Sequence, residues 1–410
     1  GSEMCIRDRN DSKATRWGAL VIVAFTMMAA YYVNDVVAPL KTMLETDLAW
    51  SSTDFGFFTG GYSFLNVFFL MLIWGGLILD RFGIRFTGKL ATILMVGGTA
   101  LEYYAMTGLA GADATLFGIN EIFGYKTGVF VAFAGYSIFG VGAEVAGITV
   151  SKIIAKWFKG KELATAMGVQ VALARIGSQA GYAVAIPLAR AFGISTPVLL
   201  GLVLLLGGMI AFFVFAVMDK KLDKQMEAAA IAAGTEDEEE KFSFKDVKNI
   251  LVNPGFWLIA LLCVLFYSCV FPFQKFASEL MIIKYGINEN VAGTFAGLPA
   301  LGALILTPVF GGFIDKRGKS ASIMLLGSAM LICVHFIYAI PDINYWLVAI
   351  VLMIILGIAF SLVPSAMWPA VAKIFPVSQL GTAYALIFFI QNIGLWGIPC
   401  LLYTSDAADE

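Results

Sequence analysis

Charge is what this sequence has least of. Asp, Glu, Lys and Arg make up 14% of its 410 residues, against ~25% in a soluble globular chain. There is one histidine, His335, and five scattered cysteines, so neither a zinc or haem ligand set nor a disulfide framework can be assembled. A net charge of −2 excludes nucleic-acid binding driven by bulk basicity. What fills the space is apolar: 60% of the residues are hydrophobic and the mean hydropathy is +0.84. No single soluble core absorbs that much apolar surface, and the composition predicts a polytopic helical membrane protein.

A membrane-crossing helix needs ~20 mostly apolar residues. Eleven such stretches are expected, at 17–39, 56–78, 87–109, 127–151, 163–187, 196–217, 255–278, 291–314, 320–340, 345–372 and 379–402. Residues 218–254 interrupt the series with KKLDK, TEDEEE and FSFKDVKN, which read as a solvated linker. The organisation is therefore a tail over 1–16, six spans over 17–217, the linker over 218–254, and five spans over 255–402. The two ends, GSEMCIRDRN and LLYTSDAADE, do not suit a membrane chain. Residues 1–9 and 400–410 resemble translated sequencing-adapter read-through and are set aside. A twelfth span is then expected beyond the last one present.

The basic residues sort strongly by side. One side receives Lys13 and Arg16, Arg81, Arg85 and Lys89, then Lys152, Lys156, Lys159 and Lys161. The linker lysines, Lys316, Arg317, Lys319 and Lys373 join them. The other side holds Lys41, Lys126, Arg190, Lys275 and Lys284. Positive-inside bias places the N-terminus and linker in the cytoplasm, and a bacterial inner membrane is the expected location.

Two loops repeat. GLILDRFGIR runs from Gly76 to Arg85, and GGFIDKRGK from Gly311 to Lys319. Each has Gly four before an Asp (Asp80, Asp315) and Gly three after it (Gly83, Gly318), with bases Arg81, Arg85 and Arg317 alongside. The first Gly is expected to let helices approach, and the second to permit a tight turn. The loops sit in register in two halves, which indicates a parallel repeat of six-span bundles. On these residues the chain resembles the major facilitator superfamily. The resemblance implies an all-α membrane fold of two pseudo-symmetric six-helix bundles, working by alternating access. It also implies that Asp80 and Arg81 belong to a cytoplasmic gate.

Charges inside spans are costly and mark function by default. Asp35, Glu102, Glu144 and Arg175 lie within spans, and Lys275 is expected to snorkel from an outer end. Glu144 lies about 11 Å and Arg175 about 18 Å from the cytosolic ends of antiparallel spans 4 and 5, and small residues flank both. Either they weld the two helices as an ion pair, or they face a cavity and grip a zwitterion, carboxylate to ammonium and guanidinium to carboxylate. A dipeptide's charged ends are about 6–7 Å apart, which suits the second arrangement. Tyr31, Tyr32, Asn34 and Asp35, in YYVNDVVAP, give a polar-aromatic patch that is a site wall or an interface anchor. Glu102 is expected at the interface or in packing, and His335 in packing. Pro364 and Pro369 bracket Trp368 and predict a bent helix that lines a cavity. Gln391 and Asn392 are amides for substrate or for helix-to-helix hydrogen bonds.

YYVNDVVAPL, WGGLILDRFGIR, WFKGKELATAMGVQVALARIGS and PSAMWPAVAKIFPVSQLGTAYALIFFIQNIGL together resemble the lysosomal dipeptide-transporter branch of the superfamily and its prokaryotic relatives. The branch implies uncoupled transport (uniport) of dipeptides. Glu144 and Arg175 would hold the two peptide termini and Trp368 would line the site. The branch often has Gly-Gly-Glu-Ser where this chain has GAEVAG. Its animal members act with a glycosylated lumenal partner, for which no docking surface is evident here. No cofactor and no enzymatic activity are expected, since no nucleophile–base set or metal cluster is visible. Two alternatives stay open: an organic-anion antiporter of the oxalate–formate kind anchored by Arg175 alone, and a non-transporting membrane receptor or scaffold.

Overall fold

A computed structural model of the chain describes residues 13–111, 114–158, 163–233, 244–375 and 377–409. The adapter-like residues 1–9, the TEDEEE run and the KGKE of WFKGKEL lie outside them. Helix α1 spans Lys13–Val36 and passes through a 3-10 turn, Ala38–Leu40, into α2, Lys41–Asp47. Then come α3, Ser52–Phe68, and α4, Met71–Ala105. A two-stranded hairpin follows, with β1, Glu121–Ile122, antiparallel to β2, Tyr125–Lys126. It leads to α5, Thr127–Trp157, α6, Leu163–Phe192, and α7, Thr196–Ala233. The second part holds α8, Phe244–Val252, α9, Pro254–Ile283, α10, Glu289–Ala296, and α11, Leu298–Arg317. It closes with α12, Ser320–Ala339, α13, Trp346–Ile374, and α14, Val377–Asp409. The adapter-like end thus continues α14.

Each expected span falls on helical chain, although 56–78 straddles α3 and α4 and 291–314 straddles α10 and α11. Seven described helices are long and apolar enough to cross a membrane, and an eighth if α3 and the start of α4 count as one span bent by 58°. The bend sits at Phe69–Leu70, where Leu70 takes a left-handed φ of 53°. Ala383–Pro399 of α14 is a shorter apolar stretch. The expected spans 87–109 and 163–187 are helical but less apolar. Lys89 and Glu102 interrupt one, and Gln170, Arg175 and Gln179 the other.

The starts and stops follow local chemistry. Ser51 and Asp54 form a reciprocal capping box at α3. The Asn253 side chain caps α9 ahead of Pro254. Gly83 (φ 77°) turns the chain between spans inside α4, and Gly318 (φ 67°) ends α11 in the left-handed region. These are the second glycines of the two repeated loops, as expected. The first glycines behave otherwise: a Cβ built on Gly76 or Gly311 meets nothing within 4 Å. The close approach falls one residue earlier, on Gly75, whose Cβ would lie 2.5 Å from Val145.

Most apolar side chains of α1–α7 gather in one core, and most of those of α9–α14 in a second. The two sets meet where α3 packs on α14 and α6 on α10 and α11. For orientation, the linker face is the end at which α7 runs on towards α8; the far face is the opposite end.

Candidate functional site

The site is built where α5, α6 and α1 face α13 and α14. Helix α5 runs past its expected end to Trp157, so Glu144 stands about 20 Å from that helix end. Arg175 stands about 18 Å from the start of α6, and the two share a depth. Glycines bring the backbones together. A Cβ on Gly142 would lie 2.7 Å from the Ala91 carbonyl, and one on Gly177 2.0 Å from that of Met28. Only glycine fits such contacts.

Glu144 and Arg175 are both half-buried, and they do not bond each other. The Tyr62 hydroxyl donates to Glu144 Oε1 at 3.0 Å, and the Asn392 amide also reaches that carboxylate. The Arg175 guanidinium lies 5.3 Å from the centroid of the Tyr31 ring and 4.8 Å from that of Phe360. Among the described residues it has no carboxylate within 4.0 Å. The acid is thus held by neutral donors, and the base lies between two ring faces, one from each set of helices. A welded Glu–Arg pair is not what the structure holds.

The remaining candidates divide. Trp368 Nε1 donates to the Tyr267 hydroxyl at 3.3 Å, its ring stacks on Phe388 at 5.0 Å, and its carbonyl accepts from Tyr384 at 2.9 Å. It therefore sits in an aromatic wall that Phe360 joins through Tyr267. Helix α13 carries it without interruption from Trp346 to Ile374, not as two pieces. Asn392 is buried at Glu144 and also donates to the Phe388 carbonyl at 2.9 Å. Gln391, one residue earlier, turns into the second core and accepts from Cys263 Sγ at 3.4 Å. Tyr32 turns away as well, donating to the Pro197 carbonyl on the α7 side at 3.2 Å. Successive residues point about 100° apart on a helix, so Tyr31 is the residue at Arg175.

Asp35 belongs to a different group. Lys275 does not snorkel to water. Its ammonium crosses from α9 into the first set of helices, 3.4 Å from Asp35 Oδ1 and 3.1 Å from the Tyr136 hydroxyl, and donates to the Asn34 carbonyl. Two more polar links join the sets on the same far face. Lys41 bonds Glu279 at 2.5 Å, Glu45 at 2.8 Å and Ser52 at 2.9 Å. Arg190 pairs with Glu289 and bonds Asn290 at 2.8 Å. An open cleft of about 420 Å³ lies beside Arg190 and Glu289; it belongs to this seam, not to Glu144. Glu102 is fully buried, which is the packing position of its two expected placements. His335 sits against the carbonyls of Leu331 and Cys269 and the Phe273 ring, a packing position.

On the linker face the ion pairs among the described residues lie within one set. Asp219, fully buried, accepts from Lys156 at 2.9 Å, from Trp157 Nε1 at 3.0 Å and from Arg85 at 3.4 Å. Asp223 takes the same Lys156 and Arg85 at 2.5 Å each. Arg81 is exposed over the Phe82 ring, and Arg317 over Phe313. The carboxylates of Asp80 and Asp315 lie outside the described side chains. Sequence reading missed Tyr62 and Phe360, and it held Tyr31 only as one member of the polar-aromatic patch with Tyr32, Asn34 and Asp35. Their one signal was a polar or aromatic residue in mid-span, which many packing residues share.

A family model described as Major Facilitator Superfamily matches residues 20–397. The human lysosomal dipeptide transporter MFSD1 is 29% identical over 396 residues, covering 93% of this chain and 78% of that protein. The mouse protein of the same name is 28% identical, covering 95% and 79%. Among solved structures, a D-xylose–proton symporter superposes with a TM-score of 0.67 at 16% identity, covering 94% of this chain and 89% of the other. The nucleoside transporter NupG gives 0.66 at 12%, covering 93% and 90%.

Proposed function

Since the chain belongs to the Major Facilitator Superfamily, and is a membrane transporter rather than an enzyme, we propose that its cargo is a dipeptide. One observation carries the reading: a carboxylate and a guanidinium stand at one depth between the two sets of helices, neither neutralised by the other. Unpaired opposite charges in a low-dielectric site suit a ligand that brings both partners. Glu144 takes the peptide ammonium and Arg175 its carboxylate in a two-pronged grip, while Trp368 and Phe360 supply apolar contact for side chains. The curated relatives carry the same substrate in their names. An anion carrier is disfavoured, because Glu144 would repel a second carboxylate.

The partition into a six-span bundle (17–217), a linker (218–254) and a second bundle (255–402) is part of this reading. So is a bacterial inner membrane, with the linker face and N-terminus in the cytoplasm. The test is uptake of a labelled dipeptide into proteoliposomes. Wild type accumulates it, while Glu144→Gln and Arg175→Lys, purified as folded protein, each lose at least tenfold. Undiminished uptake by either variant would overturn the assignment.

A further inference from the structure

The loop between α4 and α5 turns two phenylalanines outward on the far face, where its Lys126 donates to the Ala49 carbonyl. Phe117 is 95% exposed and Phe123 88%, more than any other large apolar side chain among the described residues. Each opens a two-residue turn. Leu116 pairs with Ile119 across Phe117–Gly118, and Ile122 with Tyr125 across Phe123–Gly124. All four turn residues have positive φ, 54° and 80° in the first turn and 54° and 81° in the second. Turns of this hand favour Asn-Gly, and a bulky side chain in the left-handed region is disfavoured. The fold therefore gains nothing from Phe at either position. The same unfavourable choice made twice, with the ring left outside the core, implies a gain from something beyond the chain.

The second turn rests on a line of rings. Tyr125 stacks on Phe57 of α3 at 3.9 Å, and Phe123 lies 5.9 Å from Phe130 in the first turn of α5. Phe57 stacks on Phe133 at 4.1 Å, Phe133 meets Phe64 at 5.2 Å, and Phe64 meets Phe68 at 5.0 Å. On α3, Tyr62 marks the side that faces Glu144. Phe57, Phe64 and Phe68 stand about 120–160° round the helix from it, and Phe68 and Phe69 are exposed. The outward apolar face of a span meets lipid. We propose that the loop 114–126 is a lipid-surface anchor, which sets Phe123 and Phe117 into the leaflet on the far face. The line of rings ends at Phe123, so this turn continues a surface that is already in lipid. Charge takes no part. The two charged residues of 114–126, Glu121 and Lys126, stand opposite each other in register, so uncharged headgroups suffice. The stretch 119–122 between the turns measures about 13 Å and can lie along the membrane with a ring at each end. The anchor belongs to the first set of helices and is independent of the cargo.

The experiment uses the full chain in phosphatidylcholine vesicles, with native cysteines replaced and one spin label at a time at Phe117, Phe123 or the exposed far-face residue Asp342. Oxygen concentrates in lipid and a nickel chelate in water, so the ratio of their collision rates with the label reads depth. At 117 and 123 this ratio should exceed the Asp342 value by about tenfold, as for side chains about 5–10 Å into the interface. The label is itself apolar, so a second series carries it on exposed Glu121 with both rings in place. There the pair Phe117→Asn and Phe123→Asn, which suits the left-handed turns better than Phe, should lower the ratio by about threefold as the loop lifts into water. A ratio at 117 or 123 equal to that at Asp342 would overturn the proposal and leave the rings free for a protein partner. A ratio at Glu121 that ignores the Asn pair would overturn it as well.

Discussion

Among the described residues, the ion pairs on the two faces of the molecule work in opposite ways. On the far face, Lys41–Glu279, Lys275–Asp35 and Arg190–Glu289 each join one set of helices to the other. On the linker face, Arg85 and Lys156 bind Asp219 and Asp223 inside a single set. The first arrangement can be broken by moving the sets apart, and the second survives that movement intact. The far face is thus built as a latch and the linker face as a brace. The latch also alternates in sign along α9: Lys275 and Glu279 are one turn apart, and they meet an acid and a base respectively. Such alternation fixes register, because a slip would set like charges together.

Breaking the brace should have the largest effect. Asp219→Ala leaves Trp157 Nε1 without its buried acceptor and Lys156 and Arg85 with Asp223 alone, and should cost about 3 kcal/mol, read as a fall in thermal midpoint. The far-face distances should stay unchanged in whatever folds. Next comes the latch. Lys41→Met strands Glu279 and should favour the open far face by about 1–3 kcal/mol, read as the distance between spin labels at the exposed far-face positions Thr46 and Asp342. The swap Lys41→Glu with Glu279→Lys should recover part of it, which a purely steric role for Lys41 would not allow. The smallest contrast lies in the repeated loop. Gly83→Ala forces an L side chain to a φ of 77° and should cost about 1–2 kcal/mol. Gly76→Ala enters open space and should stay within about 0.5 kcal/mol, again by thermal midpoint.

How much of this could be read beforehand depends on how local the signal is. Hydropathy windows located the rods, and the left-handed glycines Gly83 and Gly318 were legible because a turn needs them wherever the helices go. Glu144 and Arg175 stood out because charge in a span is rare. What stayed hidden was rotation about a helix axis and pairing across distance. Tyr31 and Tyr32 are equivalent as letters, and only packing decides that one meets Arg175 and the other Pro197. Lys275 looked like a snorkelling residue because its partners, Asn34 and Asp35, lie some 240 positions away. Glu102 left an interface and a packing position both open, because nothing in its sequence neighbours reveals which helices close over it. Gly76 and Gly311 were misjudged for the same reason: a small residue permits a close approach, but the partner helix decides whether one occurs.

The central claim is that Glu144 and Arg175 hold the two ends of a dipeptide, and a binding cycle tests it most directly. Calorimetry would compare a dipeptide, its N-acetyl derivative and its C-terminal amide on wild type, Glu144→Gln and Arg175→Lys. The account predicts that wild type binds the free dipeptide at least tenfold more tightly than either blocked form. It also predicts that Glu144→Gln erases the penalty for acetylation alone, and that Arg175→Lys, which keeps a charge without the two-pronged contact, shrinks the penalty for amidation alone. Equal affinity of wild type for all three ligands, or a penalty that persists in both variants, would contradict it.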